Sequence, residues 1–97
     1  MKLVNKDRAN KLVDKGALLI DMRSPIDFRD GHIQNSVNLP LKNFTNKLIG
    51  LKRNQKIVLI SKSVADPDVK TACGYADQLG FGDVFVTEYN QLLEPVE

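Results

Sequence analysis

The sequence predicts an α/β domain, a mainly parallel sheet layered against helices. Two unbroken apolar runs, Ala17-Leu18-Leu19-Ile20 and Ile57-Val58-Leu59-Ile60, have the continuity of strands covered on both faces. Segments with helical spacing alternate with these runs, the order expected of strand–helix–strand units.

Asn5 caps a helix predicted to run through Lys15, with Ala9, Leu12 and Val13 as its apolar stripe and Gly16 as its stop. The run from Ala17 is the first predicted strand. Ser24-Pro25-Ile26-Asp27 then reads as an N-cap, a proline at the first helical position and an acid at the third. It opens a helix of about two turns that Gly31 ends. Ser36-Val37-Asn38-Leu39 is a brief extended piece halted by Pro40. Leu41, Phe44, Leu48 and Ile49 have helical spacing, and Gly50 closes that helix. Asn54-Gln55 turn the chain into the strand at Ile57, and a polar loop follows from Ser61 to Asp66. Asp66-Pro67-Asp68 opens a second helix in the cap-then-proline manner. Val69, Ala72, Cys73, Ala76 and Leu79 form its stripe, and Gly80 ends it. Val84-Phe85-Val86 is a last strand. The tail from Tyr89 to Glu97 is expected to hold a half-turn of helix around Leu92-Leu93.

Composition narrows the function classes. At 97 residues the chain is expected to form one domain spanning 1–97. Its 42% apolar and 27% charged residues are ordinary globular values, which excludes disorder and a collagen-like repeat. One cysteine cannot form an internal disulfide, and one Cys with one His falls short of a four-ligand zinc site, so no metal is expected. No apolar run reaches the ~18 residues of a membrane span, and Met1–Asn5 leads straight into charged residues. No membrane association and a cytoplasmic address are therefore expected. Neither Gly-x-Ser-x-Gly nor a phosphate-cradling glycine motif occurs, and no cofactor is expected.

The net charge of +2 is too small to argue for nucleic acid, but it is unevenly spread. Residues 1–56 carry 12 basic and 5 acidic side chains, whereas residues 57–97 carry 2 and 7. Lys42, Lys47, Lys52, Arg53 and Lys56 follow one another with no acid among residues 41–56. This segment reads either as a solvated helix and turn or as a docking patch for an acidic protein partner. Only Phe44 interleaves it, so no nucleic-acid partner is expected. A monomer is expected.

In open α/β sheets, ligand sites form where strands give way to loops at their carboxyl ends. Two loops therefore matter most, residues 21–24 and 61–66. The first begins Asp21-Met22-Arg23-Ser24-Pro25-Ile26-Asp27-Phe28 and runs on to Gly31-His32-Ile33. This stretch resembles a signature of rhodanese-like domains: Asp-x-Arg, a short helix with an acid and an aromatic, then Gly-His-Ile. Val37-Asn38-Leu39-Pro40 is similar to the segment that follows it. The strand from Ile57, the loop and helix after it, and Leu79-Gly80-Phe81 resemble the family's second half.

The resemblance implies a three-layer fold, a central five-stranded parallel sheet with helices on both faces. It also implies the chemistry of sulfurtransferases. These take a sulfane sulfur from a donor such as thiosulfate onto a cysteine and pass it to cyanide or a thiol. That cysteine opens the loop after the fourth strand, which usually runs Cys, four residues, then often Arg. A related group of phosphatases has a loop one residue longer. Here the corresponding loop reads Ser61, Lys62, Ser63, Val64, Ala65 and Asp66, with no cysteine, glycine or arginine, and looks about two residues longer than usual.

Persulfide transfer needs a thiolate, and a serine hydroxyl is a weak nucleophile without an adjacent base. Asp66 and Asp68 stand at the helix N-terminus, where a capping carboxylate competes with an anion for the same donors; Lys62 and Lys70 offset part of that charge. One engineered Cys→Ser exchange would leave the rest of the loop intact, so the loop reads as natural divergence. Two functional readings follow. One is a rhodanese-like domain without sulfurtransferase activity, acting as a binding or regulatory module. The other is a sulfurtransferase whose nucleophile is substituted or displaced: substituted, Ser61→Cys would restore transfer; displaced, Cys73 would be the carrier. The stripe that holds Cys73 instead makes it an inert core thiol. A third use of loop 61–66, without chemistry, is to hold a small anion or a peptide. Asp21 and Arg23 are expected to brace the mouth of the site beside Asp27, and His32 to brace a turn rather than act as a base.

Overall fold

In a computed structural model the described residues are 2–93. The elements are β1 (Lys2–Leu3), α1 (Lys6–Asp14), β2 (Leu18–Asp21), α2 (Pro25–Asp30), β3 (Val37–Asn38), α3 (Leu41–Ile49), β4 (Ile57–Ser61), α4 (Pro67–Gln78), β5 (Val84–Glu88) and α5 (Tyr89–Leu93). The five strands form one sheet in the order β1-β5-β4-β2-β3, and every pairing is parallel.

The central strand explains the layering. Successive side chains of a strand point to opposite faces. Ile57 and Leu59 of β4 join Phe44 and Leu48 of α3 and Val69, Ala72 and Ala76 of α4 on one face. Val58 and Ile60 join Ala9 and Leu12 of α1 and Leu92 of α5 on the other. An unbroken apolar run is what a strand with helices on both sides requires.

Local sequence signals set the helix ends. Asn5 accepts the Arg8 N–H at 2.9 Å, Ser24 accepts the Asp27 N–H at 3.2 Å, and Asp66 accepts the Asp68 N–H at 2.9 Å. Gly16 and Gly80, at φ +95° and +93°, turn the chain out of α1 and α4 through the left-handed region that glycine adopts without strain.

Three expectations change. β1 was not legible, because both its side chains are exposed; it exists by pairing Lys2 with Phe85 and Leu3 with Val86. The strands β2, β4 and β5 run one or two residues further than their apolar runs, so Asp21, Ser61 and Glu88 are strand residues. The tail helix is α5, and the remainder of that expectation, residues 94–97, lies outside the described residues.

Candidate functional site

Asp21 and Ser61 end two hydrogen-bonded neighbours, so the loops after them leave the same edge of the sheet. The Met22 N–H donates to the Ile60 carbonyl at 2.9 Å and ties the two exits together.

The first loop is a closed polar brace. Asp21 is fully buried, and Oδ2 accepts from Arg23 Nη2 at 2.8 Å and from Nε at 3.0 Å. Its Oδ1 accepts the Arg23 backbone N–H at 2.9 Å and Nε at 3.0 Å. Arg23 Nη2 also donates to the Gly31 carbonyl at 2.7 Å, and the guanidinium stacks 3.6 Å from the centroid of the Tyr89 ring. Burial opposes the charge of Arg23, but the bond and attraction to Asp21 outweigh it and hold the pKa above its ordinary value. Asn38 Nδ2 donates to the carbonyls of Asp21 at 3.0 Å and Arg23 at 2.9 Å, which fixes the turn from β3.

His32 lies outside this cluster. Its side chain is exposed, stacks on Phe28 at 3.8 Å, and Nδ1 donates to the Phe28 carbonyl at 2.8 Å. It makes no hydrogen bond to Ser61. Asp27 is half-buried and lines a cavity of about 200 Å³ with Arg23, Lys62, Tyr89 and Asn90. Among the expected site residues, that cavity gathers Arg23, Asp27 and Lys62.

In the second loop the amides of Ser63, Val64, Ala65 and Asp66 are all taken by protein oxygens. Ser61 is 2% exposed; its hydroxyl donates to the Ser63 carbonyl at 2.7 Å and accepts the Ser63 N–H at 3.2 Å. The Val64 N–H donates to Glu88 Oε2 at 3.0 Å, and the Ala65 N–H to Ser63 Oγ at 3.2 Å. The Asp66 N–H reaches the Ser63 carbonyl at 3.1 Å, and the Val69 N–H the Asp66 carbonyl at 3.1 Å. With Asp66 on the Asp68 N–H, four side-chain oxygens cap the amides of Ser63, Val64, Ala65 and Asp68. A loop of successive N–H groups at a helix N-terminus attracts anions when those groups are free. Here two serines and two carboxylates hold them.

Glu88 is the participant that sequence reasoning missed. It stands opposite Ser61 in the β4–β5 register, so its carboxylate reaches the loop across the sheet. The only signal was an acid just past the apolar run from Val84, and nothing local to it shows which strand lies alongside. Tyr89 and Asn38 were missed for the same reason.

Cys73 is half-buried rather than fully buried. It touches the core cluster and also faces a second cavity, of about 420 Å³, beside Lys2, Lys70 and Asp77. Burial pushes its thiol pKa up, which keeps it protonated at neutral pH. Among the described residues no group of three or more His, Cys, Asp or Glu side chains could hold a metal, and no helix is long and apolar enough to cross a membrane.

Comparison with known proteins places these features. The uncharacterized protein BU052 of Buchnera aphidicola subsp. Acyrthosiphon pisum is 46% identical over 43 residues, which is 43% of this chain and 30% of that protein. The uncharacterized protein YibN of Escherichia coli strain K12 is 28% identical over 88 residues, 89% of this chain and 62% of that one. The chain thus spans less than two thirds of either relative. Among solved structures, the human single-domain sulfurtransferase TSTD1 is similar in fold, with a TM-score of 0.79 at 19% identity, covering 100% of this chain and 99% of that one. Residues 5–89 match the family model described as the rhodanese-like domain. With its parallel sheet and its Asp21–Arg23 brace inside that match, the chain belongs to the rhodanese-like domain family.

Proposed function

We propose that this rhodanese-like domain transfers no sulfur and serves as a binding or regulatory module. One observation supports the reading: the amides of Ser63, Val64, Ala65 and Asp68 are held by Ser61, Glu88, Ser63 and Asp66, in the loop whose first residue, Ser61, stands by resemblance where the family carries a cysteine. Sulfane sulfur moves by thiolate attack through an S–S linkage, which an oxygen cannot form. The Ser61 hydroxyl has no base beside it, since its proton is directed to the Ser63 carbonyl. Glu88, Asp66 and Asp68 place negative charge where thiosulfate would approach, and the exposed Lys62 offsets part of it. Loss of free donors also argues against an anion pocket in this loop.

The competing reading, a displaced nucleophile, draws on Cys73 at the wall of its own cavity. The raised thiol pKa counts against it. One experiment separates the two. Purified protein is incubated with thiosulfate and cyanide, thiocyanate is measured, and the intact mass is recorded. The wild type and Ser61→Cys are both expected at the blank level, because a thiol at position 61 meets occupied amides and an opposing carboxylate. Turnover clearly above blank that is lost on mutating the loop would overturn the proposal. A gain of about 32 Da, one sulfur on Cys73, would establish the displaced carrier.

A further inference from the structure

The helix α3 and the turn after it carry Lys42, Lys47, Lys52 and Arg53, all exposed. Lys56, the fifth base of the segment, is set apart, since Nζ lies 3.5 Å from Asp83 Oδ2. The other four have no carboxylate partner among the described residues. Arg53 is held in place, with Nη1 donating to the Leu51 carbonyl at 2.9 Å and the guanidinium 5.0 Å from the Phe81 ring centroid.

Helix stability explains Lys47, a base in the last turn, but not Lys42. Lys42 lies in the first turn of α3, where the helix dipole disfavours a cation, and that turn has no acid and no side-chain cap. At the end of the same helix Ile49 is 61% exposed. Its side chain shares the Lys42 stripe, because positions seven apart are nearly eclipsed on a helix. The face therefore combines unpaired positive charge with one uncovered apolar side chain.

We propose that this face docks an acidic protein segment carrying an apolar residue, with Ile49 as the anchor, Lys42 on the same stripe, and Lys52 and Arg53 in the turn that follows; Lys47 lies on the other flank of the helix. Charge complementarity favours such a partner. Nucleic acid fits less well: Phe44, the one aromatic in the segment, is completely buried and offers no stacking surface. The proposal names a partner for the binding role above and rests on that reading. Sulfur transfer and peptide docking are read by different assays, so either can fail alone.

The test is an NMR titration of isotopically labelled protein. The probes are two synthetic peptides of about ten residues, one alternating glutamate with leucine and one glutamate with serine, enough to cover the ~14 Å of α3. An oligothymidine and phosphatidylserine vesicles are run in parallel. The leucine peptide is expected to shift amides of residues 41–56, and less so as salt rises. Lys42→Glu with Lys52→Glu should weaken it by about tenfold or more, although Lys42→Glu places a favourable acid in the first turn. Ile49→Ser should weaken the leucine peptide and leave the serine peptide unchanged. Lys11→Glu on α1 with Lys15→Glu just after it should change neither. Shifts elsewhere, equal losses from the α1 control, indifference to Ile49→Ser, or tighter binding of the oligonucleotide or vesicles would each overturn the proposal.

Discussion

Arg23→Ala is expected to lower the free energy of unfolding by about 3–5 kcal/mol, the range for removing one partner of a buried ion pair. The carboxylate it leaves behind is fully buried and would keep only the Arg23 backbone N–H among the bonds it now has with that residue. The Gly31 carbonyl and the Tyr89 ring would lose their partner too. Against the ~5–15 kcal/mol that holds a domain folded, this is a large fraction. With a slope of about 2 kcal/mol per molar urea, the midpoint should fall by roughly 2 M. The double variant Asp21→Ala with Arg23→Ala should lose less than the two single changes added together, because neither charge is then orphaned. A single-variant loss below about 1 kcal/mol would mean the brace carries little stability.

Phe44→Ala should cost a similar amount, about 3–5 kcal/mol. Phe44 is completely buried in the cluster that joins α3 to Ile57 and Leu59 of β4 and to Ala72 and Ala76 of α4. Its loss opens a cavity under the helix that carries the basic face. Ile49→Ala, an exposed change on the same helix, should stay within about 0.5 kcal/mol. Urea denaturation of the two variants side by side checks this; equal losses would show that α3 is not anchored through Phe44.

These two residues also mark how much could be read without coordinates. Phe44 lay on a helical stripe, and Asp21 and Arg23 lay in a spaced motif beside a cap and a proline. Short-range chemistry of that kind is written along the chain. β1 was not legible because its two exposed side chains carry no pattern; only the Phe85–Val86 segment alongside makes it a strand. Glu88 was missed because its role depends on the strand register that sets it opposite Ser61. The same holds for Lys56, which meets Asp83 only because Ile57 pairs with Val84. Cys73 was expected in the core from its helical spacing, but it sits at the margin of that stripe, where a cavity wall replaces neighbours. Interactions across strands decide the site, and a sequence shows strands one at a time.

The most direct measurement follows the backbone amides of Ser63, Val64, Ala65 and Asp68 by NMR while thiosulfate is added. Those donors are already occupied by oxygens of the protein itself, so their resonances should move no more than those of exposed amides responding to ionic strength. Saturable shifts confined to these four positions would mean that the loop opens to receive an anion, contradicting the idea that this rhodanese-like domain has closed its sulfur site from within.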